Sequence, residues 1–265
     1  MDKEIVIKAD NVVKKFGDRT ILNGINLDIY KGETFVIMGG SGCGKSTFLR
    51  HIIGALKPDS GKVSLLGKDL SKLSEDEMDK VRMKIGMCFQ SSALFDSMTV
   101  GDNISLGLRE HTKLDKSVID IVVKMKLEMV GLRGFEDMVP SQLSGGMRKR
   151  VGLARAISMD PEIIFYDEPT AGLDPIVAGV IDKLIIDLSK KLNITSVVVT
   201  HDMKSVFSIA DRVAMFYEGK VLEVGSSDQV KNSKNPMVQQ FINGNPDGPI
   251  RFFQQKDDYL ERLIT

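Results

Sequence analysis

Cysteine, surplus charge and long apolar runs are all scarce in this 265-residue chain. Two cysteines, Cys43 and Cys88, are too few for a disulfide framework or a cysteine metal set, so we expect free thiols in a reducing compartment. Lysine plus arginine and aspartate plus glutamate both number 36, so we expect no nucleic-acid partner. No run of about 18 apolar residues occurs, so we expect neither a signal peptide nor a membrane span. Any membrane role would come through a partner protein.

The composition and the apolar pattern favour an α/β protein. Apolar residues make up 42 % of the chain, which is enough for a real core. Short apolar bursts over residues 5–38 predict a β meander, with one of its turns at Asn23 and Gly24. Helical patterns dominate residues 91–160, and wholly apolar strands return after them, as in a parallel sheet buried on both faces. Beyond Pro236 the sequence is too rich in turn residues for a core element.

The most informative stretch is a glycine-rich loop between a predicted strand at residues 34–38 and a predicted helix. Such a loop turns several backbone N–H groups, and the positive end of the helix dipole, toward one small space that suits a polyphosphate. Lys45 would reach the β- and γ-phosphates, and the Ser46 hydroxyl would help to coordinate Mg²⁺. A glycine turn without function is the alternative, but the complete G-x-x-x-x-G-K-S pattern argues against it. The predicted binding residues are Gly39, Gly40, Ser41, Gly42, Cys43, Gly44, Lys45, Ser46 and Thr47.

Two acidic residues end a second apolar strand. Asp167 and Glu168 follow four apolar residues, so both carboxylates are expected at one edge of the sheet. There Asp167 can hold the Mg²⁺ shell, and Glu168 can polarise a water molecule for in-line attack on the γ-phosphate. The alternative is an ordinary acidic turn at the end of a strand.

A second glycine loop opens a helix later in the chain. Ser144, Gly145 and Gly146 precede this helix, and they predict a second helix start that can bind an anion. Three basic residues follow in the first turns of the helix. We interpret Arg148, Lys149 and Arg150 as solvated charges rather than as a nucleic-acid patch.

Taken in order, these motifs resemble the nucleotide-binding subunits of ABC transporters, over about residues 5–235. Met147 stands where the family motif that starts at Leu143 has glutamine, but the serine and both glycines are kept. The resemblance implies ATP and Mg²⁺ as cofactors. It also implies an α/β P-loop NTPase fold of the ABC ATPase type, in which a RecA-like core with a mainly parallel sheet carries an antiparallel β lobe and an inserted helical subdomain.

The resemblance also divides the chain. The expected nucleotide-binding domain is 1–240, in which 1–90 and 161–235 form the catalytic core with the β lobe and 91–160 form the helical subdomain. Residues 241–265 form a C-terminal extension, whose apolar residues we expect to dock on a neighbouring ATPase subunit.

The resemblance assigns roles to single residues. Gln90 matches the glutamine that touches the metal and the water, and His201 matches the histidine that contacts the γ-phosphate. Asp174 lies in the loop that crosses the dimer interface. Phe16 falls where the family stacks an aromatic ring on adenine, although by position alone it could be a half-buried strand residue. The expected catalytic set is Glu168, His201, Gln90 and Lys45, and the expected metal ligands are Ser46, Gln90 and Asp167.

In this family two chains pair head to tail, and each ATP lies between the Lys45 loop of one copy and the Ser144 loop of the other. Within the family, residues 90–100, 108–112, 127–134 and 241–249, and Met147 with the basic residues after it, resemble the ATPases of Mla/Mce-type phospholipid transport systems. That likeness implies a transmembrane permease dimer, an Mce-domain substrate-binding protein and a small cytoplasmic accessory subunit, at the cytoplasmic face of the inner membrane. The ATPase of a small-solute importer, for example for amino acids, and a soluble ABC ATPase outside transport stay open as alternatives.

Overall fold

The computed structural model describes residues 3–250, which form two β-sheets and a group of helices inserted into the chain between strands of the larger sheet. The strands are β1 (Ile5–Phe16), β2 (Arg19–Tyr30), β3 (Thr34–Gly39), β4 (Ser60–Leu65), β5 (Lys68–Asp69), β6 (Ile85–Cys88), β7 (Ile163–Asp167), β8 (Thr195–Val199), β9 (Arg212–Tyr217) and β10 (Lys220–Ser226). The α-helices are α1 (Lys45–Ile52), α2 (Glu75–Arg82), α3 (Val100–His111), α4 (Lys116–Met129), α5 (Gly145–Ala156), α6 (Pro175–Leu192), α7 (Met203–Ile209), α8 (Ser227–Lys231) and α9 (Pro236–Asn243).

The larger sheet has the order β10-β9-β3-β8-β7-β6 and confirms the predicted core. Strands β9, β3, β8, β7 and β6 are parallel, while β10 pairs antiparallel with β9 at one edge. Every residue of β3 and β8 is buried, which explains the apolar runs at residues 35–38 and 197–199. Because the central strands are parallel, their carboxyl ends meet at one edge of the sheet. The loops that follow β3, β6, β7 and β8 therefore lie side by side.

The smaller sheet is antiparallel, with the order β2-β1-β4-β5. The predicted turn at Asn23 and Gly24 is wrong, because both residues lie inside the 12-residue strand β2. The pairing of β1 with β2 shifts register next to Val13, which faces Asn23, and Gly24 has a positive φ of 76°. The backbone N–H of Asn23 instead donates to the carbonyl of Gly219, at 2.8 Å. The glycine therefore marks a β-bulge that the β9–β10 turn supports.

Helices α3, α4 and α5 form the predicted helical subdomain. Ile104, Leu108, Val123, Leu127 and Val151 are buried in the core between these helices. No helix in residues 3–250 combines the length and apolar character needed to cross a lipid bilayer.

The expectation that no core element follows Pro236 is wrong, because α9 occupies residues 236–243 and buries Val238. The Gln240 side-chain amide bonds both the N–H and the C=O of Ile250, at 2.7 and 3.1 Å, so the chain is packed as far as residue 250. The expected domain boundary at residue 240 falls inside this helix. The apolar residues expected to dock on a neighbour, Phe252, Phe253, Tyr259 and Leu260, lie outside the described residues.

Candidate active site

The glycine loop joins β3 to α1 and is pressed between two strands. Gly39, Gly42 and Gly44 have φ values of 150°, 76° and 105°, which side chains disfavour. A Cβ on Gly39 would lie 2.3 Å from the Phe216 carbonyl oxygen, and one on Gly44 would lie 2.8 Å from the Leu22 side chain. Around Gly42 there is nothing within 4 Å. Close packing thus explains why Gly39 and Gly44 are glycines, whereas at Gly42 only the backbone conformation favours glycine.

The Lys45 ammonium is held inside this loop. Its Nζ donates to the carbonyls of Gly39 and Gly40, at 2.7 and 2.9 Å, and only 8 % of the residue is exposed. Ser41 and Ser46 are exposed and Thr47 is half-buried. A fixed positive charge therefore lies among the backbone N–H groups and hydroxyls predicted to bind phosphate.

Phe16 and the glycine loop border the same cleft. The cleft has a volume of about 280 Å³, and its lining includes Phe16, Arg19, Gly42, Lys45 and Ser46. Phe16 is the last residue of β1 and is 52 % exposed. The alternative that Phe16 is a half-buried strand residue is therefore wrong. The Lys14 ammonium lies 5.6 Å from the centroid of this ring. The exposed ring is suited to stacking a planar base next to the predicted phosphate site.

Asp167 ends β7 with an unsatisfied carboxylate oxygen. Its Oδ1 is buried without a hydrogen-bond partner, and burial, followed by the charge of Glu168, raises the pKa of Asp167. Residues 3–250 hold no group of three or more His, Cys, Asp or Glu side chains that could bind a metal. The oxygen donors of Ser46, Gln90 and Asp167 nevertheless fit Mg²⁺, which favours oxygen and usually fills its shell with substrate phosphates and water.

Glu168 and His201, which follow two neighbouring strands, are in direct contact. The Glu168 Oε1 atom lies 2.9 Å from the His201 Nδ1 atom, and Oε2 accepts from the Thr200 hydroxyl at 3.2 Å. The Glu168 backbone has a φ of +47°, an uncommon conformation outside glycine, and its N–H donates to the Val199 carbonyl at 2.8 Å. The side chain of Glu168 is 14 % exposed and that of His201 is 66 % exposed. The carboxylate is therefore fixed at the sheet edge beside a solvent-facing imidazole.

Gln90 follows β6, and its side chain is exposed. The backbone carbonyl of Gln90 accepts a hydrogen bond from the Lys149 ammonium at 2.5 Å. Lys149 also donates to the Glu168 carbonyl, at 3.3 Å. The interpretation of Lys149 and Arg150 as solvated charges is therefore wrong, because both are half-buried and Arg150 donates to loop carbonyls, including that of Gly131 at 3.2 Å.

The same interpretation agrees with the structure for Arg148, which is exposed. Sequence reasoning also missed Arg155, whose guanidinium donates to the carbonyls of Ser92 and Ala93, both at 2.7 Å. A usable signal was present, since Arg155 lies between the apolar Ala154 and Ala156 near the end of α5. A cation in such a setting needs a buried partner.

The second glycine loop begins α5 and does not line the cleft beside Phe16 and Lys45. Ser144 caps α5, and its hydroxyl accepts from the Met147 N–H at 3.3 Å. Asp174 caps α6, where one carboxylate oxygen accepts from two backbone N–H groups at 3.0 Å. Gly145 is exposed, whereas a Cβ on Gly146 would lie 2.5 Å from the Val177 side chain. Ser144, Gly145, Gly146 and Asp174 are all absent from the lining of the cleft beside Phe16 and Lys45.

Comparison with known proteins matches residues 22–171 to a family described as ABC transporter. The chain is 46 % identical over 259 residues to the intermembrane phospholipid transport system ATP-binding protein MlaF of Haemophilus influenzae, with 98 % of each protein covered. It is 40 % identical over 258 residues to the probable ribonucleotide transport ATP-binding protein mkl of Mycobacterium leprae, covering 97 % of this chain and 74 % of that protein.

A solved structure is similar to this chain in fold as well as in sequence. The dimeric structure of a post-hydrolysis state of the ATP-binding cassette MJ0796, bound to ADP and Pi, matches with a TM-score of 0.77 and 34 % identity. The match covers 83 % of this chain and 98 % of that one. These findings confirm the predicted P-loop NTPase fold of the ABC ATPase type, and the chain belongs to the ABC transporter family of ATP-binding proteins.

Proposed function

We propose that this protein is the ATP-hydrolysing subunit of a transporter that moves phospholipid between the inner and outer membranes. The observation that carries the catalytic part is the contact between Glu168 and His201 at the sheet edge where Asp167 also lies. The likeness to MlaF over 98 % of the chain supports the phospholipid part.

In this proposal the glycine loop binds the triphosphate. Its N–H groups and the Lys45 ammonium hold the phosphates, and Phe16 stacks on the adenine. Mg²⁺, held by Ser46, Gln90 and Asp167, would neutralise charge that develops on the phosphates during transfer. The unpartnered Oδ1 of Asp167 supports that assignment, since a buried carboxylate oxygen without a donor is costly unless a cation reaches it.

Glu168 orients the attacking water and accepts its proton. The His201 contact and the Thr200 hydroxyl restrict the Glu168 carboxylate on both of its oxygens, so little rotational freedom is left to lose during the reaction. Since the His201 side chain is largely exposed, its ring is available to contact the γ-phosphate.

Two copies complete the site in this proposal, with each ATP between the Lys45 loop of one and the Ser144 loop of the other. The absence of Ser144 from the lining of that cleft within one chain supports this arrangement, as does the dimeric state of the related MJ0796 structure. ATP then stabilises the closed pair, and hydrolysis with phosphate release lets it open.

We also propose that the protein sits at the cytoplasmic face of the inner membrane, bound to a permease dimer, with an Mce-domain protein and a small accessory subunit as further partners. The exposed rings of Phe89 and Phe95, on either side of Gln90 in the chain, give an apolar surface suited to a short permease helix. Motion of the ATPase pair would pass to the permease there.

The catalytic assignment is tested with Glu168→Gln. Turnover should fall by about 10²- to 10⁴-fold, the usual contribution of a general base, whereas ATP binding should persist and a dimer should accumulate. Phosphate release, nucleotide titration and sedimentation measure the three effects. Glu162→Gln, an exposed carboxylate just before β7 that pairs with Lys84, is the matched control and should hydrolyse normally. Wild-type turnover in Glu168→Gln would overturn the assignment.

The transport assignment needs the assembled complex. A second candidate, a small-solute importer, is favoured by the likeness to mkl, a protein named for ribonucleotide transport. Purification of the complex from membranes, with identification of the permease and mass spectrometry of extracted lipid, separates the two. Stoichiometric phospholipid with ATP-dependent release supports the proposal, and release of a small solute instead would replace it.

A further inference from the structure

Lys149 bridges two active-site segments just beyond the point where their strands stop pairing. Its ammonium contacts the carbonyl of Gln90, 59 residues earlier, at 2.5 Å, and that of Glu168, 19 residues later, at 3.3 Å. Both carbonyls lie where neighbouring parallel strands, β6 and β7, have just ended, so the sheet can no longer pair them. An ammonium with three donors can bridge them.

The bridge acts on a strained residue. The positive φ of Glu168 is retained only if surrounding contacts hold its backbone. Its N–H is fixed by the Val199 carbonyl, and its C=O is fixed by Lys149 and by the Ala171 N–H at 3.2 Å. Lys149 is thus one of the groups that set where the Glu168 carboxylate points.

The same lysine belongs to the helix that Ser144 caps. Lys149 is the fifth residue after Ser144, which places it about 7.5 Å along the helix axis. Because a helix is stiff over that length, a shift of its Ser144 end displaces the Lys149 ammonium. That shift therefore reaches Gln90 and Glu168 of the same chain.

We propose that Lys149 is a positioning residue that aligns Glu168 when the Ser144 end of α5 engages its ligand, with the Gln90 carbonyl anchoring the same ammonium. The inference rests on the proposed function, in which Ser144 binds the nucleotide held by a second copy. Lys149 itself touches no reacting atom, and its effect on turnover passes through the backbone of Glu168.

The test is Lys149→Met in the full-length protein, with MgATP as the probe. Misplacing a reacting group by about 1 Å costs roughly 10²-fold in rate, so kcat should fall by about that factor while KM for ATP changes little. Lys149→Arg, which keeps donors for both carbonyls, should recover most of the rate. Lys124→Met, the same change at an exposed lysine of α4, should behave as wild type.

A double variant separates positioning from general damage. Because Lys149 acts through Glu168, adding Lys149→Met to Glu168→Gln should slow turnover no further. Additive losses, an unchanged kcat in Lys149→Met, or a failure of Lys149→Arg to recover the rate would each overturn the inference. If the wild type hydrolyses ATP and Glu168→Gln does not, such a result removes the Lys149 inference alone and leaves the proposed function intact.

Discussion

The three positive-φ glycines of the nucleotide loop should respond very differently to alanine. At Gly42 a methyl group meets no atom within 4 Å, whereas at Gly39 it would lie 2.3 Å from the backbone oxygen of Phe216. At Gly44 it would lie 2.8 Å from the Leu22 side chain and 2.9 Å from the Ile21 carbonyl oxygen. A backbone oxygen cannot rotate away as a side chain can, so the loop or β9 must shift in Gly39→Ala.

These distances set the expected losses of stability. A left-handed alanine costs about 1–2 kcal/mol, and this is the whole cost for Gly42→Ala. Overpacking adds about 1–3 kcal/mol at Gly39, so Gly39→Ala should lose about 2–5 kcal/mol. With about 2–4 °C per kcal/mol for a domain of roughly this size, Tm should fall by about 2–8 °C in Gly42→Ala and by about 4–20 °C in Gly39→Ala.

ATP binding should weaken in Gly42→Ala even though its loss of stability is the smaller. Gly42 lines the cleft, so under the proposed function a methyl group there would meet the phosphates of ATP and weaken binding in a protein that is still well folded. Thermal unfolding and titration with a fluorescent ATP analogue measure the two effects separately. Gly40→Ala is the control for stability, because Gly40 has no positive φ and no neighbour within 4 Å. If Gly39→Ala proved as stable as Gly42→Ala, the packing argument would be refuted.

Three further predictions concern buried groups. Burial lowers the pKa of His51, so below about pH 6.5 the unfolded chain binds a proton that the folded protein does not, and the free energy of unfolding should fall as pH drops. Urea unfolding of His51→Asn at pH 7.5 and 5.5 should show a smaller difference between the two pH values than wild type. An unchanged difference would contradict this prediction. Arg212→Met removes the 2.9 Å ion pair of Glu33, which is only 5 % exposed, and should lower the free energy of unfolding in urea by about 3 kcal/mol. Adding Glu33→Gln should recover part of that loss. If Arg212→Met lost no stability, the ion pair would not be stabilising the fold. Burial raises the pKa of Cys88 to about 12 and also raises that of Cys43. Iodoacetamide should therefore label both thiols far more slowly in the folded protein than in urea, and equal labelling rates would contradict this prediction.

Much of the sheet edge could be predicted because the residues there are specified by local sequence. The apolar strands before Gly39 and Asp167 signal burial on both faces, and such strands are parallel, so their carboxyl ends must meet. The contact between Glu168 and His201 could not be predicted in this way. It joins residues 33 apart and depends on β7 and β8 being neighbours, which is a property of strand order rather than of either motif.

Local signals failed where a distant segment supplied the partner. Asn23 and Gly24 look like a turn, but the Gly219 carbonyl from another hairpin accepts from Asn23 and keeps the strand continuous through a bulge. Lys149 looks like a solvated charge, because the carbonyls of Gln90 and Glu168 that bind it lie far away in sequence. In both cases the missing information was a backbone carbonyl, which no residue type reveals.

The segment that begins at Gln90 is tied to α5 by hydrogen bonds to three of its backbone carbonyls. Ser92 and Ala93 both have positive φ, at 63° and 45°, and each costs about 1–2 kcal/mol in that conformation. Arg155 offsets this strain by binding both of their carbonyls at 2.7 Å, while Lys149 holds Gln90 one turn and a half earlier on the helix. Under the proposed function, a permease that pushes on this segment therefore turns α5 directly, and the exposed Ser144 end of the helix carries that movement to the nucleotide of the other copy.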